Sequence, residues 1–258
     1  MKKWMKGTLI AAGCLAGLGA VLTAAGLALG GFSGLRVSGE ADSTASSSYR
    51  IAADQIRGLD IEWVEGNVIL EPWEKEEILI EETSGKPIPE RDQMEYKVQG
   101  ETLKISYLSP GIRFGFRPSG KTLHVYLPQA LARELVKVEI ENVSADIQLK
   151  DLKMEKLEMN TVSGDLQASG LTAAEVEFES VSGSLRAQLS ACPREVEVET
   201  VSGDAELTLP ENSRFRAELD SVSGDLESEL SYTAGGGEEG PEISMESVSG
   251  DLRILKGK

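Results

Sequence analysis

The 258-residue chain has one histidine, two cysteines, 5% aromatic residues and far fewer basic than acidic side chains. His124 alone can build neither a zinc-histidine cluster nor a Ser-His-Asp triad, and no pair of carboxylates stands out from 43 acids as a glycosidase site. We therefore expect no enzyme activity and no resident cofactor. Cys14 and Cys192 lie in different regions, so no disulfide framework staples the fold. The net charge of -17 would repel a polyanion and excludes nucleic acid as a partner.

Long apolar runs are confined to the start. Lys2, Lys3 and Lys6 precede an uncharged stretch from Leu9 to Leu29, and no further charge occurs before Arg36. At a helical rise of about 1.5 Å per residue that stretch spans roughly 31 Å, the thickness of a bilayer core. The lysines place the N-terminus in the cytoplasm and the bulk of the chain outside, as a single-pass protein of the cell membrane. A cleaved signal peptide ending near Ala28-Leu29-Gly30 is the rival reading, and Ala12-Gly13-Cys14 loosely suits a lipid-attachment box. Ala12, Gly13, Ala16, Gly17, Ala20 and Ala24 give the helix a smooth face suited to contact with membrane-protein partners or a second copy, although such residues are common in membrane helices generally.

Four regions follow: 1–36, the Lys-rich start and transmembrane helix; 37–55, a flexible linker; 56–135, a β region of irregular early coils; and 136–258, a regular repeat. Alternation at Leu59, Ile61 and Trp63 marks the third region as strands, and Glu65-Gly66-Asn67 reads as a degenerate corner. Beyond it one motif returns six times: Val143-Ser-Ala-Asp146, Val162-Ser-Gly-Asp165, Val181-Ser-Gly-Ser184, Val201-Ser-Gly-Asp204, Val222-Ser-Gly-Asp225 and Val248-Ser-Gly-Asp251. The valines are spaced by 19, 19, 20, 21 and 26 residues, the last interval lengthened by Gly235 to Gly240, which reads as a loop inserted into one coil. Apolar residues stand three and five positions before each valine, and four and six positions after it in most repeats. The alternation therefore slips by one residue at the motif, as it does at a corner. Glycine there is expected to supply positive φ. The fold class is all-β: a single β-solenoid, β-helix-like, of about 20-residue coils, preceded by one transmembrane helix.

The tandem Val-Ser-Gly-Asp motifs, a strand ending in Tyr126-Leu127-Pro128 and a Lys-rich start running into a Gly-rich helix resemble the DUF4097 adhesin family over essentially the whole chain. The resemblance implies an extracellular β-solenoid on a bacterial surface. It also implies an adhesin or surface-binding module with an unidentified polymer or protein as ligand, or else a cell-envelope stress sensor or scaffold working through membrane partners.

Asp146, Asp165, Asp204, Asp225 and Asp251 would stack into a column. They suggest either corner caps or a calcium ladder, but one Asp per coil, replaced by Ser184 in the third repeat, is a thin set for six to eight oxygen ligands. Four positions before the valines stand Glu139, Glu158, Glu177, Glu197 and Glu218, with Ser244 before the last. Two positions before stand Glu141, Glu179, Glu199, Asp220 and Glu246, with Asn160 in the second repeat. These should form two carboxylate columns on one face, either a solvated face or a binding face for a divalent cation or a basic ligand. Asn142, Thr161, Ser180, Thr200, Ser221 and Ser247, just before the valines, form a hydrogen-bonding column. At the last coil, Leu252 to Leu255 should leave an open edge capable of end-to-end assembly. Finally, residues 115–122 match the nucleotide-binding pattern G-x-x-x-x-G-K-[ST], yet a strand rather than a helix follows Lys121, so phosphate binding is rejected.

Overall fold

Alternating apolar and polar residues without helical periodicity make strands the dominant structure of the described residues. The computed structural model describes residues 46–107, 120–234 and 240–257. The proposed membrane segment, with Ala12, Gly13, Ala16, Gly17, Ala20 and Ala24, lies outside them. Among the described residues no helix is long and apolar enough to cross a membrane. The N-terminal half contains β1 (Ser46–Ala52), β2 (Gly58–Trp73), β3 (Glu77–Thr83), β4 (Glu95–Gln99), β5 (Thr102–Ser106), β6 (Lys121–Pro128) and one short helix, α1 (Gln129–Ala132). The repeats contribute β7 (Leu135–Lys150), β8 (Lys153–Thr161), β9 (Leu166–Ser180), β10 (Leu185–Leu189), β11 (Glu195–Thr200), β12 (Ala205–Leu209), β13 (Arg216–Ser221), β14 (Leu226–Ser228), β15 (Thr233–Ala234), β16 (Glu242–Ser247) and β17 (Leu252–Lys256).

Each repeat is a two-strand rung, and rungs stack in parallel with like positions facing one another. Before the corner, Val138 pairs with Leu157, Leu157 with Val176 and Val176 with Val196. After it, Ile147 pairs with Leu166, Leu166 with Leu185 and Leu185 with Ala205. The apolar positions three and five before the valine and four and six after it face inward to form one continuous core, in which Ile140, Ile147, Leu157 and Leu207 are wholly buried.

The order of the stack departs from the order of the sequence. Strands β16 and β17 lie between β11/β12 and β13/β14, so the Val248 rung sits inside and the Val222 rung lies beyond it. This corrects two expectations: the long fifth interval is a return path that carries the chain back past a rung, and Leu252 to Leu255 is an internal strand rather than the open edge. Inward packing explains the exchange. The Val248 rung offers Ile243, Met245, Leu252 and Ile254, all at most 1% exposed. The Val222 rung offers Ala217, Leu219, Leu226 and, at the sixth position after its valine, Ser228, with both leucines only partly buried. The more apolar rung takes the place that is covered on both sides.

At the other end β2 is also out of order, pairing in parallel with β5 and β6 on one side and β7 on the other. Gly66, at φ 98°, stands in register with Ala145. Strand β3 runs antiparallel to β6, β1 runs antiparallel to β3, and β4 runs antiparallel to β5, closing this end. A closed end blunts the tendency of a free edge to pair with another chain.

Candidate functional site

The corners are wired along the stack by the very side chains that define the motif. The amide of Asp165 donates to Asp146 Oδ1 at 3.2 Å, Ser184 to Asp165 Oδ1 at 2.9 Å, and Asp204 to Ser184 Oγ at 3.4 Å. The ladder continues with Asp251 donating to Asp204 Oδ1 and Asp225 to Asp251 Oδ1, each at 3.0 Å, following the same non-sequential order. An oxygen of each of Asp146, Asp165, Asp204 and Asp251 therefore caps the next rung, and the Ser184 hydroxyl fills the same role. Among the described residues no group of three or more His, Cys, Asp or Glu is arranged to hold a metal ion. The column just before the valines is buried except at half-buried Ser221: Asn142 Oδ1 accepts from Thr161 Oγ1 at 2.9 Å, and the hydroxyls of Ser180 and Thr200 lie 2.8 Å apart.

The motif glycines do not adopt positive φ, contrary to the expectation from turn chemistry. Close stacking requires them instead. A β-carbon on Gly164 would lie 2.0 Å from the Ala145 carbonyl oxygen, and one on Gly203 would lie 2.0 Å from that of Gly183. Ala145 is accommodated because β7 runs straight through its corner in register with β2.

Before the corner, the outward positions form the acidic face. Glu158 pairs with Glu177, Glu177 with Glu197 and Glu179 with Glu199, while Glu246 lies between Glu199 and Asp220. At one end of the face lysines pair with most of the acids, although Glu141 there has no ion pair among the described residues. Lys104 reaches Asp60 at 3.0 Å and Glu62 at 2.5 Å, Lys137 bridges Glu139 and Glu158 at 2.7 and 2.8 Å, and Lys156 pairs with Glu158 and Glu177. Burial pushes the Glu158 carboxyl up, but Lys137 and Lys156 outweigh it and hold it below the usual value. Farther along the stack, Glu179, Glu197, Glu199 and Glu246 have no ion pair among the described residues. Burial, reinforced by the surrounding carboxylates, raises Glu179, Glu197 and Glu199 above the ordinary range. The sequence columns are thus brought together, and the lysines six positions before the valines, which divide the face in two, were the signal left unread.

Lys121 of the nucleotide-binding pattern is buried. It forms an ion pair with Glu82 at 2.5 Å and donates to the backbone carbonyls of Asp92 and Tyr107, with its Nζ 3.9 Å from the Tyr107 ring centroid. It opens β6, so no helix N-terminus follows it.

The sequence profile of the family described as Toastrack DUF4097 matches residues 49–255. The chain belongs to this family. Solved structures similar to this DUF4097 chain include a "putative cell adhesion protein" from Clostridium sporogenes, 11% identical, at a TM-score of 0.48 over 82% of this chain and 99% of that one. Another is a "putative adhesin" from Bacteroides fragilis, 14% identical, at a TM-score of 0.39 over 82% of this chain and 97% of that one. No curated protein matches.

This DUF4097 chain also carries a second outer face, on the strands after the corner, that the motif analysis missed because its positions keep no residue type beyond the Gln148 and Gln167 pair. Gln148 and Lys150 on β7 pair with Gln167 and Ser169 on β9. Arg186 and Gln188 on β10 then pair with Glu206 and Thr208 on β12. Toward the closed end the face continues through Ile69 and Glu71 to His124 and Tyr126, whose rings stack with centroids 3.9 Å apart.

Proposed function

We propose that this protein is a membrane-anchored, extracellular β-solenoid that works without catalysis as an adhesin-type surface-binding module. The observation that carries this reading is the rung-to-rung register, which converts a 20-residue repeat into a rigid face with like side chains in columns. Such a face suits a partner that is itself extended or repetitive. The acidic face is its contact surface. The register sets Glu179 beside Glu199 and Glu199 beside Glu246, so like charges are crowded there, and a basic partner would relieve the repulsion while drawing the protein to its target.

The test is a crosslinking pull-down from intact cells with three full-length forms: the natural chain, one whose residues 9–29 are replaced by an unrelated membrane anchor, and a Glu179→Gln, Glu197→Gln, Glu199→Gln variant. The expected result is the same extracellular partner with either anchor and its loss from the charge-neutral variant. Recovery of membrane signalling proteins only with the native helix would replace the adhesin reading with an envelope sensor or scaffold. Unchanged capture by the charge-neutral variant would remove the acidic face from the binding surface.

A further inference from the structure

The face after the corner holds an open groove of about 350 Å³ across four consecutive rungs. Its rims are the side chains of Gln148, Gln167, Arg186, Gln188 and Thr208, and Ala168 and Ala187 lie in its floor. Those two alanines occupy an inward column that holds Leu149 on one side and Leu207 on the other. These two small residues lie side by side on adjacent rungs, and the pairing slips between Ala187 and Leu189 at the same place.

The chemistry of the rims differs from that of the rest of the molecule. On a chain of net charge -17, this strip offers three primary amides and two hydroxyls. Its charges balance: Lys150 pairs with Glu71 at 2.8 Å, and Arg186 stands opposite Glu206 in the register. Primary amides donate and accept at once, and guanidinium presents a planar fork of donors, which together complement vicinal hydroxyl groups. An extended peptide fits poorly, because the sheet's own backbone groups are consumed in the plane of the sheet and cannot satisfy a second backbone lying across it. A polyanion gains no net attraction from a balanced strip on an acidic protein, and a cation meets Glu206 and Glu71 already facing Arg186 and Lys150. Successive rungs advance by about 4.8 Å, close to the length of one sugar ring, so equivalent side chains recur at the pitch of a linear glycan.

We propose that this groove binds an uncharged, linear polysaccharide, its chain running along the stack across the rungs from Gln148 to Thr208. The site is separate from the acidic face. A protein with both could hold a glycan on one side and a basic partner on the other.

The experiment is calorimetric titration of the full-length protein in detergent with cello-oligosaccharides and chito-oligosaccharides, alongside polylysine. Gln167, Arg186 and Gln188 are exposed, so a Gln167→Ala, Arg186→Ala, Gln188→Ala variant is expected to fold, as a thermal melt would verify. A single Arg186→Gln variant provides a milder companion. At least one oligosaccharide series should bind the natural chain, and the triple variant should lose about tenfold or more in affinity. The Glu179→Gln, Glu197→Gln, Glu199→Gln variant should retain that binding while losing polylysine. Failure of both sugar series to bind, or equal binding by both groove variants, would overturn the glycan site. The acidic-face reading is judged independently by polylysine and by the pull-down.

Discussion

A glycine in this motif is a distance requirement, and that makes its substitution costly in a way turn propensity does not capture. Gly183→Ala places a β-carbon 2.1 Å from the Gly164 carbonyl oxygen, with backbone on both sides of the clash. The rungs must separate to admit it, so equilibrium unfolding in urea should show a loss of about 2 to 4 kcal/mol. Ala145→Gly removes a buried methyl from an uninterrupted strand, and should cost only about 1 kcal/mol. Glu141 makes a second residue-scale prediction. Burial, with Glu62, Glu139 and Asp60 nearby, raises its carboxyl to about 7 from 4.5. The folded state therefore binds this proton more tightly than the unfolded state. The resulting stabilisation is complete below the unfolded pKa and is lost as pH rises through the folded one. Glu141→Gln, which mimics the protonated acid, should raise the melting temperature near pH 8 and change it little near pH 4. An equal rise at both would remove ionisation as the cause. The repeated letters announced the corners and the acidic columns. They did not reveal why glycine is needed, because the atom that excludes a side chain belongs to a residue some 20 positions away.

At the scale of elements, the closed end depends on one buried ionic cluster. Glu82 on β3 accepts from Lys121 on β6, from the Ser47 hydroxyl on β1 at 3.1 Å and from the Met94 amide, thereby tying both antiparallel strands to the stack. Lys121 and Glu82 are at most 1% exposed, so removing either strands the other's charge in the core. Lys121→Met should lose about 3 to 5 kcal/mol, whereas pairing it with Glu82→Leu should recover a large part, because an apolar pair can replace a buried ion pair at little net cost. A double-mutant cycle by urea unfolding measures this coupling, and additive losses would show that the two side chains act independently. The strands of this end were legible from the alternation at Leu59, Ile61, Trp63, Leu123 and Val125. Their antiparallel pairing and the role of Lys121 were not. A lysine in a nucleotide-binding pattern gives no local sign that a carboxylate 39 residues upstream will bury it.

For the whole molecule, the order of stacking decides which parts open first. Periodicity reveals that rungs stack but not which rung touches which, since every repeat offers a similar surface to every other. Two clues bore on the exchange of the last two rungs: the 26-residue interval, long enough for a return path, and Ser228 at a position that is apolar elsewhere. Both acquire meaning only once all rungs compete for the covered places. The consequence is measurable by native-state hydrogen exchange. In the observed order β17 is hydrogen-bonded on both sides, to β12 and β14, while β14 pairs with β17 alone among the described residues. Amides of Leu252–Lys256 should therefore be protected nearly as well as those of Ala205–Leu209, and Leu226–Ser228 should exchange first although that strand lies farther from the C-terminus. Removing residues 241–258 should also expose the β11/β12 rung and release the Val222 rung together, a larger loss than trimming a terminal repeat. Fast exchange throughout β17 beside a protected β14 would mean that the rungs stack in sequence order, with the free edge returned to the C-terminal strand.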